Sequence, residues 1–282
     1  MLWPFELFTP KHKQEVTDLL RGHEGAKILA GGTDLLCDMR GGIHRPGHVI
    51  DIGRIDELGD MSLSAAGGFI GACVDLNRII EDRNIGWDCI RRSALGIATY
   101  QVRNRATMVG NLCNASPAAD CAPPLLVLEA LIRIREEDGM ERDLPLQEFF
   151  TGVKRSVLKP GQWAVGVKIP SHPRTIRTAF MKKMRIRGHD LAIVNAAGCC
   201  NPDDKKLRIA VGACAPTPLL FDFDELYADA SSVEPLVKEA EHRVLTRIRP
   251  ISDNRGSAEY RTDMVRLFVH KIITAIHVEV HP

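Results

Sequence analysis

Six consecutive residues, Ala30-Gly31-Gly32-Thr33-Asp34-Leu35, are the first in the chain with types and spacing suited to chemistry. They follow Lys27-Ile28-Leu29-Ala30, which reads as a strand. Adjacent glycines permit positive φ and let the backbone come close to a ligand. Successive N–H groups in such a turn form an anion-binding nest, and the Thr33 hydroxyl adds a donor. A hydrogen bond to a charged oxygen contributes roughly 1.5–3 kcal/mol, so three or four of them would hold a pyrophosphate. The spacing fits neither the Gly-x-Gly-x-x-Gly dinucleotide fingerprint nor the P-loop, so a nucleotide bound here belongs to another fold. The same residues also fit a plain tight turn between two strands.

A second polar segment runs from Arg103 to Pro124 and reads as a long irregular loop, a kind of stretch that is usually functional inside a compact domain. Its two blocks are Arg103-Asn104-Arg105-Ala106-Thr107-Met108-Val109-Gly110-Asn111 and Asn114-Ala115-Ser116-Pro117-Ala118-Ala119-Asp120. Small hydroxyls, asparagines and an aspartate in one segment can orient a polar cofactor chain, with Asp120 accepting from a ribose or ribityl hydroxyl. The alternative is a surface loop whose Asn and Ser side chains bond to their own backbone.

The elements that must carry these segments are legible in outline. Thr9-Pro10 reads as an N-cap with proline at the first helical position, followed by the stripe Val16, Leu19 and Leu20. On this reading the chain opens with a helix, then a strand at 27–30 and another at 48–52. A hairpin turns at Gly67-Gly68. Leu76, Ile79 and Ile80 mark a short helix, and Ile90, Ala94, Leu95 and Ala98 a longer one. Trp163 to Ile169 reads as a strand and Pro170 to Arg174 as a linker. Beyond it, Leu191 to Cys200 and Leu207 to Val211 form a hairpin, and an amphipathic helix starts near Tyr260. This order predicts an α+β protein with domains over 1–172 and 173–282.

Composition narrows the function. The 282 residues carry 45% hydrophobic and 26% charged side chains with a formal net charge of +1, which favours neither nucleic acid nor an anionic membrane surface. No apolar run is long enough to span a bilayer, and no basic-then-apolar start marks a secretory signal, so a cytoplasmic location is expected. Eight cysteines, at 37, 73, 89, 113, 121, 199, 200 and 214, include no Cys-x-x-Cys pair, so buried free thiols and no metal site are expected.

Together the motifs resemble those of one family. Ala-Gly-Gly-Thr-Asp-Leu at 30–35, Thr-x-x-Gly-Asn at 107–111 and Ala-Ser-Pro-x-x-Asp at 115–120 are similar to the paired FAD loops of molybdenum-hydroxylase flavin subunits, the xanthine dehydrogenase and aerobic carbon monoxide dehydrogenase type. Val211-Gly212-Ala213-Cys214-Ala215-Pro216-Thr217-Pro218 and Arg255-Gly256-Ser257-Ala258-Glu259-Tyr260-Arg261 resemble signatures of that family's C-terminal domain. These motifs stand in family order, and the likeness covers nearly the whole chain. The family usually has glycine where Val109 stands; a β-branched residue disfavours positive φ, so either the backbone is ordinary there or the flavin contact is altered.

The resemblance implies a vanillyl-alcohol-oxidase-type (PCMH-like) FAD-binding domain of two subdomains, with a C-terminal α+β domain of the CO dehydrogenase flavoprotein type covering the flavin. Carried over by position, the FAD-binding residues are Ile28, Leu29, Ala30, Gly31, Gly32, Thr33, Asp34 and Leu35, then Thr107, Met108, Val109, Gly110 and Asn111, with Asp120, Ile97, Ala164 and Lys182. His189-Asp190-Leu191-Ala192 fixes the register of Lys182; the other reading of Lys182 is a solvated side chain in a basic run with Lys183, Arg185 and Arg187. The chain itself is expected to hold no catalytic residue for substrate chemistry, no metal, and no extra iron–sulfur cluster of the kind found in 4-hydroxybenzoyl-CoA reductases. Molybdopterin and 2Fe-2S centres are expected on a large and a small partner subunit. Electrons would pass through FAD to a soluble acceptor such as NAD, or to a quinone, oxygen or a ferredoxin-like carrier. A stand-alone FAD-dependent oxidase and a flavin-free scaffold subunit are the alternatives. Valine at Gly31 or Gly32 is expected to abolish FAD binding with the fold largely kept.

Overall fold

The computed structural model describes residues 2–64, 66–186, 190–229 and 232–280. Its first unit is a parallel three-stranded sheet. β1 (Glu6–Phe8), α1 (Lys13–Gly22), β2 (Lys27–Leu29), α2 (Leu35–Arg40) and β3 (His48–Asp51) give the strand order β1-β3-β2. The central strand β3 is the most apolar and buries Val49 and Ile50 completely. The helix expected to open at Thr9-Pro10 begins instead at Lys13, after N-cap His12, whose side chain makes no cap bond. The start is displaced because β1 occupies residues 6–8 and the Glu15 carboxylate supplies the N-terminal acceptor, taking the Lys11 N–H at 2.9 Å.

The second unit is an antiparallel sheet with short helices laid over it. Along the chain come β4 (Met61–Ser64), β5 (Gly67–Gly71), α3 (Leu76–Glu81), α4 (Asp88–Leu95), α5 (Tyr100–Arg103), α6 (Met108–Cys113) and α7 (Ala122–Val127). Then follow β6 (Leu131–Arg135), β7 (Glu141–Pro145), the small pair β8 (Phe150–Gly152) and β9 (Arg155–Ser156), and β10 (Trp163–Ile169). The five-stranded order is β4-β5-β10-β6-β7. β10 lies at its centre, which is why all of Trp163–Ile169 except Lys168 is buried. α4 stops at Leu95 and does not reach Ala98, whose φ of 45° is left-handed.

The third unit follows the irregular stretch 170–176. β11 (Arg177–Lys183), β12 (Val194–Asn201), β13 (Lys206–Gly212) and β14 (Leu219–Asp222) form an antiparallel meander in that order, and α8 (Asp224–Asp229), α9 (Val233–Arg247) and α10 (Ala258–Val280) follow. All of β12 is buried, because each face of the strand has a cover. Val194, Ala196 and Cys200 pack with α9 and α10 residues, whereas Ala197 and Cys199 join the N-terminal core. Gly198 lets α10 come close: a Cβ there would lie 2.2 Å from Ile272 Cγ2. Asn195 has the same parity as Ala197 and therefore faces the N-terminal units.

The cysteines are unpaired; Cys89, Cys121, Cys199, Cys200 and Cys214 are buried, but Cys37 and Cys113 are exposed, contrary to the expectation for all eight. Cys37 lies on α2, and Cys113 at the end of α6, where it faces a cleft. Among the described residues no helix is long and apolar enough to cross a membrane.

Candidate functional site

The glycine turn connects β2 to α2, and its two glycines do different work. A Cβ on Gly31 would sit 1.8 Å from the Arg105 carbonyl oxygen, so Gly31 lets the two polar segments touch backbone to backbone. Gly32 has φ +74°, a conformation that L side chains rarely adopt. It turns the chain so that its carbonyl accepts from Leu36 N at 3.0 Å. Among the described residues, the backbone N–H groups from Gly31 to Leu35 have no protein acceptor, which leaves a row of donors along the turn. The valine substitutions expected to spare the fold need correcting for Gly31, where the obstacle is backbone from another segment.

The second segment is not the irregular loop expected from its composition. Thr107 caps α6, its Oγ1 accepting from Gly110 N at 3.0 Å. Gly110 leaves room for that hydroxyl, since a Cβ would lie 2.8 Å from it. Asn111 Oδ1 accepts from Cys121 N at 3.2 Å and ties α6 to the start of α7. Val109 lies inside α6, 2% exposed, with ordinary helical backbone. The glycine usual in the family is therefore not required here for positive φ. Met108 is fully buried in the core.

Arg103 organises the wall beside this segment. It is 9% exposed, and its Nη1 donates to the carbonyls of Ile97 (2.9 Å), Ala98 (3.1 Å) and Leu95 (3.3 Å). Its Nε donates to Asn77 Oδ1 at 3.1 Å. The guanidinium thus terminates α4 and holds the 95–98 turn, including left-handed Ala98.

Lys182 is not solvated. Its side chain is 5% exposed, and Nζ donates to Asp120 Oδ2 at 2.7 Å and to Gly96 O at 2.8 Å. Burial pushes the Asp120 carboxyl up, while Lys182 and the Asn195 amide oppose that rise. The pair joins three parts of the chain: Asp120 before α7, Gly96 after α4, and β11 of the C-terminal unit. His189, used to fix the register, and Arg187 of the basic run lie outside the described residues.

These elements surround one cleft of about 660 Å³, within the usual range for cofactor pockets. Ile28, Leu29, Ala30, Gly31, Gly32, Thr33, Asp34 and Leu35 line it, as do Ile97, Thr107, Val109, Gly110, Asn111, Asp120, Ala164 and Lys182. Met108 alone of the residues singled out from sequence does not line the cleft; its side chain points from α6 into the core. Sequence reasoning missed Arg103 and Asn195, since neither lies in a pattern that marks a buried polar anchor. Asp190 and Leu191 also line the cleft.

A cleft of this size, lined by a donor-rich glycine turn and a buried cation, is the kind that binds a phosphate-bearing cofactor. A family model described as the FAD binding domain in molybdopterin dehydrogenase matches residues 3–172, and one described as the CO dehydrogenase flavoprotein C-terminal domain matches residues 179–276. The chain belongs to this family of FAD-binding subunits of molybdopterin dehydrogenases, and is a flavoprotein component of an oxidoreductase.

Two relatives illustrate the likeness. The xanthine dehydrogenase FAD-binding subunit of Escherichia coli O157:H7 is 31% identical over 270 residues, covering 92% of this chain and 91% of the relative. The carbon monoxide dehydrogenase medium chain of Hydrogenophaga pseudoflava is 31% identical over 283 residues, covering 96% of each. Among solved structures, a carbon monoxide dehydrogenase from Hydrogenophaga pseudoflava superposes with a TM-score of 0.91 at 28% identity, covering 99% of both chains. Quinoline 2-oxidoreductase from Pseudomonas putida 86 gives 0.89 at 25% identity with the same coverage.

The cleft fits FAD on its own features. The turn offers backbone donors to a pyrophosphate, Gly32 keeps them exposed by its positive φ, and the volume suits a large extended ligand.

Proposed function

We propose that this chain relays electrons within a larger enzyme: FAD in the cleft receives them from 2Fe-2S clusters on a small partner subunit and delivers them to an external acceptor such as NAD. Substrate is oxidised at molybdopterin on a large partner subunit. Residues 1–172 hold the cofactor, and residues 173–282 close over it.

One observation carries this reading: the turn at 30–35 with its unengaged donors and the buried Lys182–Asp120 pair line the same cleft. Bound FAD supplies the redox chemistry, accepting and releasing electrons one or two at a time. The protein's part is positioning. The N–H groups of Gly31 to Leu35 would bind the pyrophosphate, and the Asp120 carboxylate and the Lys182 ammonium would hold the polar face of the flavin end. Lys182 is already engaged by Asp120 and Gly96, which suits a fixed positive wall better than a proton carrier.

The partners named by this reading can be tested directly. A tagged chain purified from its native cells is expected to bring down a complex containing molybdenum and iron, while the chain expressed alone carries FAD and neither metal. A solitary yellow chain that oxidises a small alcohol without partners would replace this function with that of a self-sufficient oxidase.

A further inference from the structure

The Lys182–Asp120 pair is completed by a third residue that no motif marks. Asn195 is fully buried on β12, and its Nδ2 donates to Asp120 Oδ1 at 2.8 Å, the oxygen that Lys182 leaves free. A second, longer contact reaches Ala119 O at 3.5 Å. The sheet register explains the arrangement. Lys182 on β11 stands directly opposite Asn195, and Asn195 stands directly opposite Gly212 on β13. The three residues form one row across the sheet on the face toward the N-terminal units.

Gly212 is part of the device. A Cβ there would lie 2.2 Å from Asn195 Oδ1 and 3.3 Å from Pro117 O, so only glycine leaves the amide its place. Among the described residues, Asn195 Oδ1 is buried without a hydrogen-bond partner, a cost accepted for one donor aimed at Asp120. The orientation of the amide is fixed chemically, because the reverse would set its oxygen against a carboxylate.

We propose that Asn195, kept in place by Gly212, is a positioning residue for the cofactor: it holds the Asp120 carboxylate so that Lys182 presents its positive charge to the cleft. The proposal rests on the FAD reading above. With Asn195 present, two donors share the carboxylate. Without it, Asp120 Oδ1 loses its donor, the carboxylate offsets more of the Lys182 charge, and less net positive charge faces the flavin. Reduced flavin, richer in negative charge, then loses stabilisation relative to oxidised flavin.

The test uses the full chain and two variants that reach the amide by different routes. Asn195→Leu removes the donor at similar volume; Gly212→Ala leaves Asn195 in the sequence but displaces its amide. FAD affinity is measured by fluorescence titration, and the flavin midpoint potential by dye-coupled reduction. Both variants are expected to bind FAD about tenfold or more weakly. Both should also shift the two-electron reduction equilibrium about tenfold toward oxidised flavin, about 30 mV more negative. Should Asn195→Leu fail to fold, Gly212→Ala and Asn195→Ser carry the same expectation. Folded variants with wild-type affinity and potential would overturn the positioning role alone. A wild-type chain that cannot take up FAD would overturn both this role and the function it rests on.

Discussion

The two polar segments on the cleft wall differ in what they do with their backbone. From Gly31 to Leu35 the N–H groups find no protein acceptor among the described residues. From Gly110 onward the segment bonds largely to itself: Gly110 N donates to Thr107 Oγ1, Asn111 N to Thr107 O, and Cys121 N to Asn111 Oδ1. The first segment is therefore built to give hydrogen bonds to a ligand. The second is built to be rigid, and supports the first through the contact of Gly31 with Arg105. Similar composition, rich in Gly, Thr and Asn or Asp, serves opposite ends.

That contrast can be broken experimentally. The largest effect is expected from Gly31→Val, whose side chain meets the Arg105 carbonyl and pushes the segments apart. The expected outcome is a loss of about 3 kcal/mol or more in urea unfolding, with no FAD retained. Gly32→Ala comes next. Its cost of about 1–2 kcal/mol arises from positive φ, and its neighbours are the flexible ends of Leu29 and Leu36. Because the turn's donors are re-aimed, FAD affinity is expected to fall tenfold or more by titration.

The second segment should respond in stability without responding in affinity. Val109→Gly restores the glycine usual in the family but removes a buried side chain from a helix. About 2 kcal/mol of stability should be lost while FAD affinity stays within about threefold. A tenfold change in affinity would mean that α6 contacts the ligand as closely as the glycine turn does. The smallest effect is expected for Thr107→Ala, about 1 kcal/mol from the lost cap, read as a shift in the denaturant midpoint.

How far the sequence revealed this site depended on where each residue's constraint lies. The glycine turn was legible because its strand, glycines and hydroxyl are consecutive. β10 and the 194–212 hairpin were legible from apolar runs bounded by turn residues. The helices between 100 and 127 were not, because α5 and α6 are four and six residues long, too short to repeat an apolar period. β11 was hidden by its charged residues, of which Lys182 finds its partners across domains. Arg103 and Asn195 were illegible for the same reason: each acts through a side chain distant in sequence, Asn77 for one and Asp120 for the other. β1 escaped because it is three residues long and pairs only with β3.

The central claim is that this cleft holds FAD through the turn at 30–35. The most direct measurement is the visible spectrum of the purified full-length chain beside Gly32→Ala, with released flavin quantified after denaturation. The account expects a yellow wild-type protein with about one FAD per chain, and a folded Gly32→Ala protein depleted of flavin and requiring tenfold more FAD to refill. A colourless wild-type chain that added FAD does not reconstitute, or a Gly32→Ala protein with undiminished flavin, would contradict it.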